Sequence, residues 1–337
     1  MIGGLTRSFV SKVRSIRAPS LSIPGIASRS LKYGYANARV RGMRSTLLKP
    51  AQLDELIKVK TIPAMVELLE RTHYKNELIS LSVKNKGSAL VELASIKDFA
   101  TIAKKLKKLA PKDDASIVAA LLKRWDMLDL KTLLNARRAG KSFEEIKPYL
   151  LLVGDLSKDN FEKIAKADND HILEEIKKTE IGKQMFSQNI QSLKKSFIEL
   201  SKKSIANADT FFQLQTLLDA YACIFIDNSL SIKNKDVANV RMAFKKEIDA
   251  RNIIIIERLK ARGIKGKEIR NYLIPSGTFD ESTIVALIAS ESLQDTIKIA
   301  RAKFRGLPAI DDKSKLSDFE IALEKAIAVE KLKVFNR

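Results

Sequence analysis

Apolar residues recur three and four positions apart along most of the chain, as in "AMVELLERTHY" from Ala64 and "DFATIAKKLKKLA" from Asp98. No stretch sustains the strict apolar and polar alternation of a half-buried strand. The pattern predicts an all-α protein. One segment argues locally the other way: the four consecutive isoleucines of "NIIIIERL", Ile253 to Ile256, carry the β-branched composition of a buried strand.

An internal copy settles that segment. Displacing the chain on itself by 123 residues lays "WDMLDLKTLLNARRAGKSFEEIKPYLLLVG" over "IDARNIIIIERLKARGIKGKEIRNYLIPSG" without a gap. Asp126 falls on Asp249, Gly140 on Gly263, Glu145 on Glu268, Tyr149 on Tyr272 and Gly154 on Gly277, with Arg137 over Lys260. The isoleucines lie over the helical pattern "DLKTLLNAR", so they too are predicted helical. Each copy reads as a hairpin. A helix of about four turns ends at Gly140 or Gly263, where a glycine adopts the left-handed C′ conformation at little cost. A short second helix follows, with Ser142 and Glu145 at capping-box spacing in the first copy, and it ends near Gly154 or Gly277. Tyr149 and Tyr272 are expected to anchor the short helices, each hydroxyl reaching a partner. Asp126 and Asp249 are related by repeat and not by contact, so they are no evidence for an acid/base pair. They are expected at helix junctions, with Arg124 or Arg251 as candidate partners.

A fainter echo at an offset of 107 places "IKVKTIPAMVELLERTHYKN" over "IAKADNDHILEEIKKTEIGK", and "LIASESLQDTIKIARAKFRG" is a third, looser copy. The expected organisation is therefore a first helical domain over residues 33–155, a second over 156–278 and a partial third over 279–337. Residues 1–32 are expected to stay outside the fold as a basic, flexible N-terminal extension. They hold six Lys or Arg, seven Ser and the breakers Pro19, Pro24 and Gly25, and Asp54 is the first acid in the chain. That composition fits a flexible tail, an organellar import signal or a surface helix with Phe9, Val13 and Ile16 on one face.

Charge adds a class of partner. The chain has 337 residues, with 61 Lys or Arg against 40 Asp or Glu, a formal net charge of +21. Such a field favours nucleic acid, anionic lipid or an acidic protein. No run approaches the eighteen or so apolar residues of a membrane span. The lone cysteine, Cys223, sits among apolar neighbours and is expected as a small buried thiol. His73 and His171 have no Cys or His at metal-ligand spacing, and the sequence contains neither a phosphate loop nor a dinucleotide fingerprint. No catalytic, cofactor or metal residue is assigned. In "YGYANARVRGM", residues 33–43, helical spacing puts Tyr35 and Arg39 on one face and Ala36, Val40 and Met43 on a neighbouring one. Arg39, Arg41 and Arg44 are then either an interface for acidic or lipid groups or a solvated flank beside a packed tyrosine.

"YGYANARVRGM", the following "LLKPAQLDELIKVKTIPAMVELLERTHY", the "RWDMLDLKTLLNARRAGKSFEEIKPYL" hairpin and its copy ending in "YLIPSG" resemble the C subunit of archaeal A-type ATP synthases. The equivalent in eukaryotic vacuolar proton pumps is the d subunit. The likeness runs in the same order over roughly residues 33 to 330. It implies a funnel of three similar helical domains, the third here incomplete. It also implies an accessory, non-enzymatic role between the central stalk and the membrane rotor ring, peripheral on the cytoplasmic side of the cell membrane, with other rotary ATPase subunits as partners. Nucleic acid is not expected as a partner on that reading; a basic helical-repeat protein that binds nucleic acid is the alternative.

Overall fold

The computed structural model describes residues 26–187, 198–200, 202–231, 235–308 and 315–335, and among these every regular element is a helix. α1 spans Ile26–Ser45, α2 Pro50–Lys58, α3 Ile62–Glu70, α4 Lys75–Ser82 and α5 Gly87–Leu109. α6 runs over Ala115–Arg138, and α7, Phe143–Ile146, continues into a single 3₁₀ turn, Lys147–Tyr149. α8 (Lys158–Lys166), α9 (Ile172–Lys178) and α10 (Glu180–Ser187) are short, and α11 (Ala208–Ser229) and α12 (Lys235–Ala261) are long. α13 (Lys267–Arg270), α14 (Glu281–Ala289), α15 (Leu293–Lys303) and α16 (Leu316–Phe335) complete the chain.

Small polar residues start many of these helices by accepting orphan backbone amides. Thr61 accepts from Ala64 at α3, Ser157 from Asn160 at α8, Asp280 from Thr283 at α14 and Ser292 from Asp295 at α15. Asn207 caps α11 through the amides of both Asp209 and Thr210. At α7 the expected Ser142–Glu145 capping box is formed.

The long helices organise the core. α6, α8, α9 and α11 bury Leu130, Leu134, Phe161, Ile164, Ile176, Leu214 and Leu218 in one cluster. α12, α15 and α16 bury Ile253, Ile256, Leu259, Ile297, Phe319 and Leu323 in another. A third cluster, with Cys223, Ile226, Phe244 and Ile248, joins α11 to α12. The isoleucine run is helical, as the repeat requires. Ile253 and Ile256 are fully buried and Ile254 and Ile255 partly so, and a helix enclosed by packing partners on several sides tolerates β-branched residues that propensity alone disfavours.

Several boundaries differ from the sequence expectation: the second hairpin helix is 27 residues long, and the short helices stop at Tyr149 and Arg270, ahead of Gly154 and Gly277. The first hairpin helix is 24 residues long, about 36 Å, well beyond four turns, because its apolar pattern runs back through Leu122 and Ala120 before the repeated segment begins. The helix carrying "YGYANARVRGM" begins at Ile26, ahead of the boundary expected at residue 33. Lys32, placed with the extension, pairs with Asp114 at 3.1 Å and is tied to the body. Phe9, Val13 and Ile16 lie outside the described residues.

α16 docks on α12 as α11 docks on α6, in a register displaced by 105 residues. Leu214, Leu217, Leu218, Tyr221 and Ala222 are buried on α11, and Phe319, Ala322, Leu323, Ala326 and Ile327 are buried on α16. Polar contacts follow the same register. Gln215 donates to Asn135 at 3.0 Å, and at the equivalent positions Glu320 accepts from Arg258 at 2.8 and 2.9 Å. The Lys123 ammonium lies 3.9 Å from the Phe225 ring centroid, and its counterpart Lys246 pairs with Glu330 at 2.5 Å.

Candidate functional site

The two hairpins are closed by buried side chains that hold loop backbone. Asp126, fully enclosed, accepts the amides of Asp155 at 2.7 Å and Leu156 at 3.2 Å. Asp249, 123 positions on, accepts Thr278 at 2.9 Å and Phe279 at 3.2 Å, which stand at the positions of Asp155 and Leu156. The Thr278 hydroxyl donates to Asp249 as well. Burial is the largest influence on both carboxyls and pushes them up, Asp126 to about 6, against the opposing pull of the loop amides.

This geometry explains two glycines. A Cβ on Gly154 would stand 2.0 Å from the Asp126 carboxylate, and one on Gly277 would stand 2.0 Å from Asp249. The backbone must approach the carboxylate too closely for any side chain. Gly140 and Gly263, with φ of 77° and 80°, terminate α6 and α12 in the left-handed conformation. In both, the next residue's amide reaches back five positions, Lys141 to Ala136 at 3.0 Å and Ile264 to Leu259 at 3.1 Å.

One helical turn after each aspartate, the copies diverge for a visible reason. Asp129 accepts two amides, Leu151 and Leu152, each at 2.9 Å. Its counterpart Asn252 accepts the Ile274 amide and donates to the Ile274 carbonyl, both at 2.8 Å. The position of Leu152 is taken by Pro275, which has no amide to offer, so one acceptor suffices. Leu152 has a positive φ of 52°; proline cannot adopt it, and the left-handed kink passes to Ser276 at φ 75°. The conservative pair Arg137 and Lys260 also has a shared purpose. Arg137 donates to the carbonyls of Ile164 and Ala165 at the end of α8, and Lys260 to those of Leu287 and Ser290 at the end of α14, so each cation meets the negative pole of a helix.

Neither aspartate pairs with Arg124 or Arg251, contrary to expectation. Both face inward onto amides, while the two arginines converge on Glu247. Glu247 is buried and meets Arg124 at 3.0 Å, Arg251 at 2.9 Å and Lys331 at 2.5 Å. Burial alone would raise its carboxyl; the three cations outweigh that and hold it at about 2. This hub, joining α6, α12 and α16, borders a groove of about 460 Å³ floored by Ile254, Ile255, Leu323 and Ile327.

The remaining residues singled out by sequence separate into packed and exposed. Tyr272 is half-buried beside Phe212, ring centroids 5.9 Å apart, and its hydroxyl accepts from Gln213 at 3.1 Å. Tyr149 is half-buried too, but no hydrogen-bond partner meets its hydroxyl among the described residues. Tyr35 is 71% exposed; the tyrosine that ties α1 down is Tyr33, which donates to Asp114 at 2.7 Å. The stripe Tyr33, Ala36, Val40 and Met43 is the available signal, since these are the half-buried positions of α1. Arg39, Arg41 and Arg44 are exposed. Cys223 is buried with its thiol pushed up to about 12 by desolvation, the state of a packing residue. His73 meets Asp98 at 3.2 Å.

Among the described residues no three His, Cys, Asp or Glu side chains are grouped to hold a metal, and no helix is long and apolar enough to cross a membrane. What the fold defines is an all-helical scaffold whose buried polar groups are spent on fixing backbone and joining helices. The family model described as ATP synthase (C/AC39) subunit matches residues 36–336, and the chain belongs to that family. Its relatives include the A-type ATP synthase C subunit of Methanosarcina mazei, 27% identical over 250 residues, covering 74% of this chain and 64% of that protein. The C subunit of the Methanocaldococcus jannaschii A-type synthase is 24% identical over 248 residues, 73% of this chain and 58% of that protein. Its counterpart in Pyrococcus horikoshii is 26% identical over 261 residues, 77% of this chain and 65% of that protein. The matched region thus spans less than two thirds of the length of each of these three relatives.

Proposed function

We propose that this chain is a non-catalytic central-stalk subunit of an A-type or V-type ATP synthase. It couples the stalk to the membrane rotor ring, in proton-driven ATP synthesis or ATP-driven proton transport. The observation that carries the reading is the family match over residues 36–336. In this reading the units 33–155, 156–278 and 279–337 form a funnel, the third unit being partial, and the chain is peripheral on the cytoplasmic side of the cell membrane. Its partners are the ring and stalk subunits. Arg39, Arg41 and Arg44 are assigned to the ring-side surface.

A torque-bearing adaptor needs stiffness more than chemistry. Close-packed helices resist deformation, and loops pinned by buried carboxylates keep the hairpins from opening under load. No observation favours the nucleic-acid alternative. The test is capture from mildly solubilised membranes through a tag after Arg337, followed by mass spectrometry. Co-purification of ring and stalk subunits is the expected result. Recovery of nucleic acid or ribosomal proteins alone would overturn the proposal.

A further inference from the structure

The surface from Arg39 to Lys60 combines two properties that rarely coincide on a solvated face. It carries six cations, Arg39, Arg41, Arg44, Lys49, Lys58 and Lys60, against two acids, Asp54 and Glu55. All eight are exposed. Elsewhere in the fold cations are repeatedly paired, as at Glu247, Asp219 and Asp227. Among the described residues none of these six makes an ion pair. Set among them are large apolar side chains in water: Leu47 is 53% exposed, Leu53 46% and Ile57 81%.

Local geometry keeps the two sets together. α1 ends at Ser45, and α2 begins at Pro50 after a tight turn in which Leu47 donates its amide to the Arg44 carbonyl at 3.3 Å. Leu53 and Ile57 lie one turn apart on α2 and share a face, while Leu56 packs into the body with Leu48 and Met65. α2 is nine residues long, so Ile57 is within about 15 Å of the turn. α2 itself buries no residue fully, so its outer face is unclaimed by the fold.

Unpaired cations would suit any anion, and exposed leucine and isoleucine any apolar surface. A bilayer with anionic headgroups offers both at one depth: phosphate charge above and acyl chains a few ångströms below. We infer that the surface formed by the end of α1, the following turn and α2 docks directly on anionic lipid. Arg39, Arg41, Arg44 and Lys49 meet headgroup phosphates, and Leu47, Leu53 and Ile57 enter the headgroup boundary. The inference rests on the ring-side assignment of these arginines made above and names the chemical class they meet there. It requires no covalent anchor and no spanning helix.

Flotation of the purified full-length chain with vesicles tests this without any other subunit. Vesicles of phosphatidylcholine alone are compared with vesicles that also contain phosphatidylglycerol, at low and raised salt. Binding only to the anionic vesicles, weakened by salt but not by inorganic phosphate at matched ionic strength, is the expected pattern. R39Q/R41Q/R44Q should lower the partition coefficient about tenfold or more. L53S/I57S should lower it severalfold at unchanged charge. All five positions are exposed, and circular dichroism melts verify that both variants stay folded. Equal binding to neutral vesicles, no binding, or full retention in both variants would overturn the inference; the last result would place the contact elsewhere on the chain. Membrane capture of ring and stalk subunits without vesicle binding would leave the stalk reading standing and remove the lipid contact alone.

Discussion

Arg124 and Glu247 stand at the same position of the two repeats, 123 residues apart, and they bond to each other at 3.0 Å. A duplicated unit can make such a contact only after its two copies have diverged in charge, because identical residues would repel or leave a vacancy. The pair joins α6 to α12, and Lys331 brings in α16 at the same carboxylate.

Loss of that carboxylate should therefore be felt across the fold. Glu247→Gln leaves Arg124, Arg251 and Lys331 facing one another without their anion and is expected to cost about 2–3 kcal/mol, their partial exposure softening the repulsion. Urea unfolding of wild type and variant gives the difference directly. An unchanged midpoint would show that the hub does not hold the helices together.

The same comparison has a pH signature. Glu247 titrates at about 2 in the fold against an ordinary 4.5, so its contribution is complete above 4.5 and is lost as pH falls towards 2. The gap between wild type and Glu247→Gln should close over that window. Asp126 and Asp129, each pushed up to about 6 chiefly by burial, work in the opposite sense. They favour the fold at low pH and lose that contribution as pH rises from 3.8 to about 6. Both proteins carry them, so the difference isolates Glu247.

Glycine substitutions should separate sharply by site. Gly154→Ala and Gly277→Ala drive a methyl into a buried carboxylate and are expected to cost about 2–4 kcal/mol each. Gly34→Ala, in α1 with nothing within 4 Å of the new methyl, should stabilise by about 0.5–1 kcal/mol. Thermal melts of the three variants check the order.

Asparagine at position 129 tests the amide logic of the loops. Asp129→Asn turns an NH₂ towards the amide of Leu151 or Leu152 and should cost about 1–3 kcal/mol, although Asn252 occupies the equivalent site without penalty. Asn252→Asp, which sets a carboxylate against the Ile274 carbonyl, is expected to cost a similar amount near neutral pH. Equal stability of wild type and Asp129→Asn in urea would contradict the two-amide account.

Helical class, the hairpin glycines and the capping box at Ser142 are legible in the sequence because each depends on spacing within a few residues. Three things are not. Asp126 and Asp249 stand out as a repeated pair, but their partners are backbone amides, which have no side-chain identity to read. Tyr35 and Tyr33 lie in the same motif, and the stripe of Tyr33, Ala36, Val40 and Met43 tells them apart only once the packed side of the helix is known; the contact with Asp114, 81 residues away, marks Tyr33 as the one that packs. The docking of α16 on α12 keeps its geometry while its chemistry changes, from Gln215 and Asn135 to Glu320 and Arg258, so little identity beyond Leu218 and Leu323 remains to align.

The most direct test of the stalk assignment is electron cryomicroscopy of the assembly captured from membranes through the tagged chain. The stalk reading places this chain on the rotation axis, between the membrane ring and the foot of the central stalk. Density for it on a peripheral stalk, or an assembly without a rotor ring, would contradict that reading.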